Sequence, residues 1–352
     1  MARIITITSG ANGVGKTSIS LNLSLSLASK GCKVCLFDAD SGLSNVTIFT
    51  GIHPQKNLES VISGQVGLND IIIKNYHGID IIPGGSGVKR LSDLNQTQAN
   101  TLVKAFLNLL EYDYFILDTS CDMSNQVLSF CMACHEIILV ATCEPTSLTN
   151  AYSMLKMISK HSYEQPVSVV INQAISSKAA KNAYDQLKEL VDKFLPIKIE
   201  PLGIMASDKN VRAAIVSQTP FVRLFPDTIA SKCIHSITDK LLNKKDRIPG
   251  MPLEFFWDKC LSFLKKHQIP QKAPSAQKVI VKKKKEQSPD INKALFHIES
   301  KLSTLMKEVN DIKKSLELHK PLPETTKEEP ITPPEPREIT LDFESWLKKK
   351  YK

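Results

Sequence analysis

Seven short apolar runs recur along the first two-thirds of the chain. Each run is continuous rather than alternating, which is typical of parallel strands covered on both faces. Most of the stretches between the runs are long enough for a helix, so the pattern predicts an α/β fold with a doubly wound, mostly parallel sheet. The runs are Ile4–Thr8, Val34–Phe37, Ile79–Ile82, Tyr114–Leu117, Ile137–Ala141, Val167–Ile171 and Pro201–Met205.

One segment gives two conflicting signals. Ser18–Leu27 alternates strictly between polar and apolar residues, and that alternation alone would predict a strand. The segment directly before it, Gly10–Thr17, fits the phosphate-loop pattern G-x-x-x-x-G-K-[ST], which is followed by a helix. We therefore predict a helix over Ser18–Leu27.

The phosphate-loop pattern carries the main chemical signal of the sequence. Its glycines allow backbone N–H groups to turn around phosphate oxygens, and the next helix presents its positive N-terminal end to them. Lys16 is expected to reach the β- and γ-phosphates, and Thr17 to offer its hydroxyl to Mg²⁺. The residues predicted to bind the nucleotide here are Gly10, Ala11, Asn12, Gly13, Val14, Gly15, Lys16, Thr17 and Ser18.

Two groups of carboxylates follow predicted strands. Asp38 and Asp40 come directly after the second apolar run, and Asp118 ends the fourth. A carboxylate at this end of a strand beside a phosphate loop can hold the hydration shell of Mg²⁺ or orient a water. The alternative is an ordinary aspartate in a turn or helix cap.

These motifs, in this order, resemble the MinD/ParA family of ATPases, and within it the FlhG (FleN) group of flagellar-number regulators. The resemblance covers residues 3 to about 240. The similar stretches are SGANGVGKTS, DADSGLSNVTIFTGI, YDYFILDTSCDMSNQVLSF, CEPTSLTNAY, VVIN and PLGIMASDKNVRAA.

The resemblance implies an ATP-dependent dimer that holds two nucleotides face to face, with Mg²⁺ as the metal. It also implies that Lys16 and Thr17 bind phosphate and Mg²⁺, and that Lys16 and Asp40 act in catalysis, with Asp40 placing the attacking water. Asp118 would hold the hydration shell of Mg²⁺. Asn172 would contact adenine, and Gly203–Asp208 would close over the base.

Two positions depart from the family pattern. The loop usually carries a lysine that crosses the dimer to the partner's phosphates, and Ala11 stands there instead. Losing such a contact removes about 2–4 kcal/mol of transition-state stabilisation, or roughly 30- to 1,000-fold in rate. Asp122 adds a negative charge after the strand that ends in Asp118. The resemblance therefore implies nucleotide binding with slow hydrolysis.

Two cysteine pairs resemble metal-binding spacings. They are Cys32-x-x-Cys35 and Cys131-x-x-Cys134, the second followed by His135. Zinc or redox chemistry is one interpretation, but Cys32 and Cys35 bracket the start of a strand, where an odd offset points side chains to opposite faces. Buried thiols are the interpretation that we favour.

An amphipathic helix is predicted within residues 250–267. Aromatic side chains with basic flanks can lie in a membrane interface, and docking on the core of the body is the alternative. A switch between the two would satisfy both. The apolar positions on one helical face are Leu253, Phe256, Trp257, Cys260, Leu261 and Leu264.

The remainder of the chain has a different composition, with 9 of the 19 prolines and none of the 14 glycines. Residues 268–289 form a basic linker, and residues 290–319 carry apolar residues at coiled-coil spacing. Residues 320–352 are predicted to be disordered, with a terminal docking peptide. The net charge of +9 favours an acidic partner; nucleic acid is an alternative that the pattern does not favour.

The sequence therefore predicts a nucleotide-binding domain over residues 1–245. No run is long enough to span a membrane, and we expect a cytoplasmic protein that associates peripherally with the inner face of the membrane through residues 253–266. The function implied is a dimerising ATP switch that regulates the number or placement of flagella together with flagellar assembly proteins. The alternatives are ParA-like positioning of another cargo, such as DNA or pili, and a non-catalytic scaffold.

Overall fold

The structure is a computed structural model that describes residues 1–40, 45–107, 109, 112–243 and 250–267 of the 352. The predicted basic linker, coiled coil, disordered tail and terminal docking peptide lie outside the described residues. Part of the DADSGLSN stretch, residues 41–44, lies outside them as well.

An eight-stranded sheet forms the centre of the protein, with strand order β3-β4-β2-β5-β1-β6-β7-β8. Every neighbouring pair is parallel except β3 and β4, so the predicted fold class is confirmed. The strands are β1 Arg3–Thr8, β2 Val34–Ala39, β3 Ile73–Tyr76, β4 Ile79–Pro83, β5 Tyr114–Thr119, β6 Glu136–Thr142, β7 Val167–Ala174 and β8 Ile199–Ala206.

Helices cover both faces of this sheet, and each face has its own apolar core. Two short 3₁₀ turns, Leu68–Asp70 and Arg90–Asp93, complete the connections. The helices are α1 Lys16–Ser29, α2 Asn45–Thr50, α3 Leu58–Ile62, α4 Ser86–Lys89, α5 Gln96–Leu107, α6 Asn125–Ala133, α7 Pro145–Lys160, α8 Ser177–Phe194, α9 Lys209–Val216, α10 Phe221–Leu224, α11 Ile229–Asn243 and α12 Leu253–Lys266.

Helix α1 confirms the prediction for Ser18–Leu27. Every residue of that segment is buried, so this part of α1 lies inside the protein. Two of its polar side chains donate to carbonyl oxygens one turn earlier: Asn22 Nδ2 to Ser18 and Ser24 Oγ to Ser20, both at 2.7 Å. The polar half of the alternation therefore reflects a buried helix and not a strand.

The apolar face of α12 is docked on the body. Trp257 is fully buried, with its ring centroid 4.6 Å from that of Phe106 and 5.6 Å from that of Phe37. Phe256 and Leu264 are also buried, whereas Phe255 on the outer side is 61% exposed. The face predicted to meet a membrane is thus covered by the protein's own core, and the docking alternative is the arrangement that the structure shows.

Each edge of the sheet contains an irregularity that weakens pairing with a further strand. Strand β3 is only four residues long, and its antiparallel pairing with β4 shifts register between Ile73 and Tyr76. At the other edge, β8 contains Pro201, which has no N–H to donate.

Among the described residues, no helix is long and apolar enough to cross a membrane.

Candidate functional site

The phosphate loop connects β1 to α1 and has the backbone that its glycines allow. Gly13 and Gly15 have φ values of 73° and 93°, in the left-handed region that favours glycine. Gly10 lies against α7, where an added Cβ would be 2.1 Å from the carbonyl oxygen of Asn150. The loop conformation therefore excludes larger residues at these positions.

Lys16 is held inside the loop. Its Nζ donates to Ser9 Oγ at 2.8 Å and to the Ala11 carbonyl oxygen at 3.5 Å, and the residue is only 8% exposed. Burial lowers the pKa of Lys16, while the negative charges of Asp118 and Asp40 act to raise it. A phosphate bound in the loop would supply the anionic partner that a buried ammonium requires.

Asp118, at the end of β5, is the most perturbed carboxyl group of the site. Burial raises its pKa from 3.8 to about 6, although hydrogen bonds from Thr17 and Ser20 act to lower it. Ser20 Oγ donates to Oδ1 at 2.9 Å, whereas the buried Oδ2 has no hydrogen-bond partner. An unsatisfied carboxylate oxygen beside a threonine hydroxyl fits the oxygen-rich surroundings that Mg²⁺ and its bound waters prefer.

The two aspartates at the end of β2 have different positions: Asp38 is its second-to-last residue and Asp40 directly follows it. Asp38 is fully buried, and its Oδ1 accepts a 3.3 Å hydrogen bond from the backbone N–H of Asp40. Asp40 itself lines the cleft beside the loop. The structure therefore places Asp40 where a nucleotide-bound water could be oriented, and Asp38 where it shapes the turn.

A cleft of about 800 Å³ opens beside the phosphate loop, large enough for a nucleotide. Of the predicted binding residues, Gly10, Ala11 and Val14 do not line it. Asp118 also lies outside the lining, buried at the end of β5. The predicted residues that do line the cleft are Asn12, Gly13, Gly15, Lys16, Thr17, Ser18, Asp40 and Asn172.

The other side of the cleft contains residues that the sequence analysis did not single out. Three of them are polar: Gln173, Lys209 and Arg212. Lys209 and Arg212 belong to the PLGIMASDKNVRAA stretch and Gln173 directly follows VVIN, so the sequence marked their neighbourhood but gave no sign that these side chains line the cleft. The prediction that Gly203–Asp208 faces the base fits the lining, which includes Met205 to Asp208. The apolar wall is formed by Phe49, Met205, Val211, Ile215 and Phe221.

Asn172 holds the loop. Its Nδ2 donates to the Val14 carbonyl oxygen at 2.7 Å, and the residue is buried at the end of β7. The predicted contact with adenine stays a prediction. An amide group has two N–H donors, so Asn172 can keep its bond to the loop and still donate to a base.

The two departures from the family pattern have distinct surroundings. Ala11 takes part only through its backbone: its carbonyl oxygen accepts from Ser9 Oγ at 2.8 Å and from Lys16 Nζ at 3.5 Å, and its N–H donates to Ser9 Oγ at 3.4 Å. Asp122 accepts from Ser120 Oγ at 3.1 Å and from Ser124 Oγ at 2.8 Å, directly before α6. Its charge nevertheless acts on Lys16 through space, so it belongs to the electrostatics of the site.

The cysteines behave as thiols. No group of three or more His, Cys, Asp or Glu side chains that could hold a metal occurs among the described residues. Cys131 and Cys134 are buried, and burial raises the pKa of Cys134 to about 12. Cys121 differs because it lines the cleft, with its Sγ 2.5 Å from Asn12 Oδ1.

Comparison with known proteins gives matches over the same part of the chain. A family model described as an AAA domain matches residues 2–176. The antiactivator FleN of Pseudomonas aeruginosa is 33% identical over 258 residues, which are 72% of this chain and 91% of FleN. The flagellum site-determining protein YlxH of Helicobacter pylori is 29% identical over 268 residues, which are 74% of this chain and 90% of YlxH.

Solved structures share the fold. The septum site-determining protein MinD from Pyrococcus horikoshii, complexed with Mg-ADP, superposes with a TM-score of 0.54 at 22% sequence identity. The match covers 70% of this chain and all of that MinD chain. At this level of identity the likeness establishes the fold of the described body.

Proposed function

We propose a function from one premise: this chain belongs to the MinD/ParA family of ATPases and to its FlhG/FleN group. The proposal is that it is an ATP-binding switch that regulates the number or placement of flagella. The observation that carries the nucleotide part is the cleft beside the phosphate loop. Lys16 lines this cleft while almost fully buried, and the Asp118 carboxyl group, which has one unsatisfied oxygen, lies behind the lining beside Thr17.

The nucleotide's phosphates would lie in the loop, and Mg²⁺ would be held by the Thr17 hydroxyl and, through its bound water, by Asp118. When bound, Mg²⁺ neutralises negative charge on the β- and γ-phosphates. Lys16 supplies the protein's own positive charge at the same place. Asp40 lines the cleft and orients the attacking water.

Hydrolysis is proposed to be slow. Ala11 has no charged side chain to offer to the phosphates of a partner subunit, so one contact of the transition state is missing. The same observation favours a second candidate, a nucleotide-binding scaffold that does not turn over. Measured ATP hydrolysis distinguishes the two.

Dimerisation across the cleft is supported by exposed apolar residues that are close in sequence to its lining residues. Ile48, Ile175 and Val216 are 43%, 87% and 79% exposed. Ile48 directly precedes the cleft-lining Phe49, and Val216 directly follows the cleft-lining Ile215. Ile175 lies two residues beyond Gln173, which also lines the cleft. Exposed apolar side chains around a site are typical of a surface that another protein covers.

Membrane association through residues 253–266 requires a change from the docked arrangement. The apolar face of α12 packs around Trp257 against the core, so the helix must leave the body before that face can meet lipid. We propose this exchange as the route to the membrane. Co-flotation with anionic liposomes, with and without ATP, tests it.

The decisive experiment on the nucleotide is calorimetric titration with Mg·ATP. Lys16→Ala should lose most of the affinity, because the phosphates lose their point-charge partner in the loop. Lys30→Ala is a matched control directly after the same helix, since Lys30 is half exposed and pairs with Asp239 away from the loop. Equal titrations for wild type and Lys16→Ala would contradict nucleotide binding at this loop.

The flagellar part is tested in cells. Deletion of the gene should change the number or position of flagella seen by electron microscopy, and wild type should restore it while Lys16→Ala should not. Normal flagella in the deletion strain would instead favour another cargo.

A further inference from the structure

The end of β7 contains a bulge directly beside the phosphate loop. Between the pairs Ile171–Ile204 and Ala174–Ala206, β7 has one more residue than β8. Within the bulge, Gln173 has a φ of 55°, a left-handed conformation that non-glycine residues seldom adopt. In a regular strand two successive side chains point to opposite faces; here both Asn172 and Gln173 reach the loop.

Each of these two side chains holds one peptide group of the loop. Asn172 Nδ2 donates to the Val14 carbonyl oxygen at 2.7 Å, and Gln173 Nε2 donates to the Gly13 carbonyl oxygen at 2.9 Å. The backbone N–H of Gln173 donates to Asn172 Oδ1 at 2.8 Å, so the two residues also hold each other.

The two hydrogen bonds determine where the loop's N–H groups point. In a trans peptide the carbonyl of one residue and the N–H of the next point in opposite directions. Fixing the carbonyls of Gly13 and Val14 toward β7 therefore turns the N–H groups of Val14 and Gly15 away from β7, toward the inside of the loop. Such N–H groups are the ones that bind phosphate oxygens.

We propose that Gln173 is a positioning residue for phosphate binding: it orients the Gly13–Val14 peptide so that the loop is ready for the nucleotide. This inference rests on the proposed nucleotide binding. Gln173 acts through the loop and need not touch the nucleotide itself.

A purely structural role for Gln173 does not fit its surroundings. The residue is exposed, so its side chain contributes little packing, and its left-handed backbone lowers stability relative to glycine. A residue that served only the stability of the bulge would be better as glycine. The glutamine side chain is accounted for by its bond to Gly13.

Two substitutions separate the hydrogen bond from the backbone strain. Gln173→Gly removes both the amide and the strain, whereas Gln173→Met removes the amide and keeps a side chain of similar length. Gln218→Gly is a matched control, because Gln218 is also an exposed left-handed glutamine, with φ 49°, but does not line the cleft. Each protein is titrated with Mg·ADP and Mg·ATP by calorimetry and melted without nucleotide.

We expect both Gln173 variants to bind ADP and ATP about fivefold to tenfold more weakly than wild type, the effect of one hydrogen bond. Gln173→Gly should melt at or above the wild-type temperature, and Gln218→Gly should bind like wild type. A wild type that binds neither nucleotide overturns the proposed function. Two results overturn this inference alone. One is wild-type nucleotide affinity in both Gln173 variants, and the other is a loss of affinity that occurs only in variants with a lower melting temperature.

Discussion

Without nucleotide, the stability of Asp118→Asn relative to wild type should increase as the pH rises. Burial raises the pKa of Asp118 from 3.8 to about 6, so ionising this group in the folded protein costs free energy. The folded state holds the proton more tightly than the unfolded state, and the stability that this provides is lost as the pH rises through about 6.

The size of the effect follows from the pKa. At roughly 1.4 kcal/mol for each pKa unit, the ionised Asp118 lowers the free energy of unfolding by about 3 kcal/mol at pH 8. The amide nitrogen of asparagine in place of the unsatisfied Oδ2 costs about 1–3 kcal/mol at every pH. The gain from Asp118→Asn should therefore be about 1.4 kcal/mol larger at pH 8 than at pH 5, whatever the amide costs.

Urea denaturation at pH 5 and pH 8, without nucleotide or Mg²⁺, measures this difference. Asp93→Asn is the control, because Asp93 is exposed and should show no comparable dependence on pH. If the effect of Asp118→Asn on the free energy of unfolding is the same at both pH values, or more favourable at pH 5, burial does not raise the pKa of Asp118.

Four further outcomes are expected. Ala11→Lys should raise the rate of ATP hydrolysis in a coupled assay, and an unchanged rate in a variant that dimerises with ATP by light scattering would show that the missing lysine is not limiting. Without ATP, full-length protein should sediment as an oligomer, and a 1–267 truncation should contain fewer chains per particle. The same number of chains in both would contradict the coiled coil. Trp257→Ala should lower the free energy of unfolding by about 3–5 kcal/mol in urea, and the exposed Phe255→Ala by far less; similar losses would be inconsistent with docking of α12. Mg·ADP should slow maleimide labelling of Cys121, with Cys121→Ser identifying the labelled site; labelling at the same rate would place the nucleotide elsewhere.

The strands and the phosphate loop could be predicted because their signals are local. A continuous apolar run such as Val167–Ile171 needs no partner to be recognised, and the glycines of the loop have conformations that few other residues adopt. Strand β3 was missed because it has no such local signal. Ile73–Tyr76 is short and half exposed, and only its pairing with β4 makes it a strand.

The far wall of the cleft could not be predicted, because it depends on where distant helices pack. Phe49 and Arg212 are more than 150 residues apart in sequence, and the stretches that contain them do not indicate that both side chains line one cleft. The position of α12 was ambiguous for a related reason. An amphipathic helix has the same pattern whether its apolar face meets lipid or protein, and only the aromatic cluster around Trp257 shows which partner it has here.

The two edges of the sheet limit how copies of this protein can assemble. A ninth strand would pair poorly with β3, which is four residues long and irregular, and beyond β8 it would lack one N–H donor, because Pro201 has none. Joining of sheets into a continuous ribbon, the usual route to fibrils, is therefore disfavoured at both ends. Copies of this protein can thus be concentrated locally with little risk that their sheets join edge to edge.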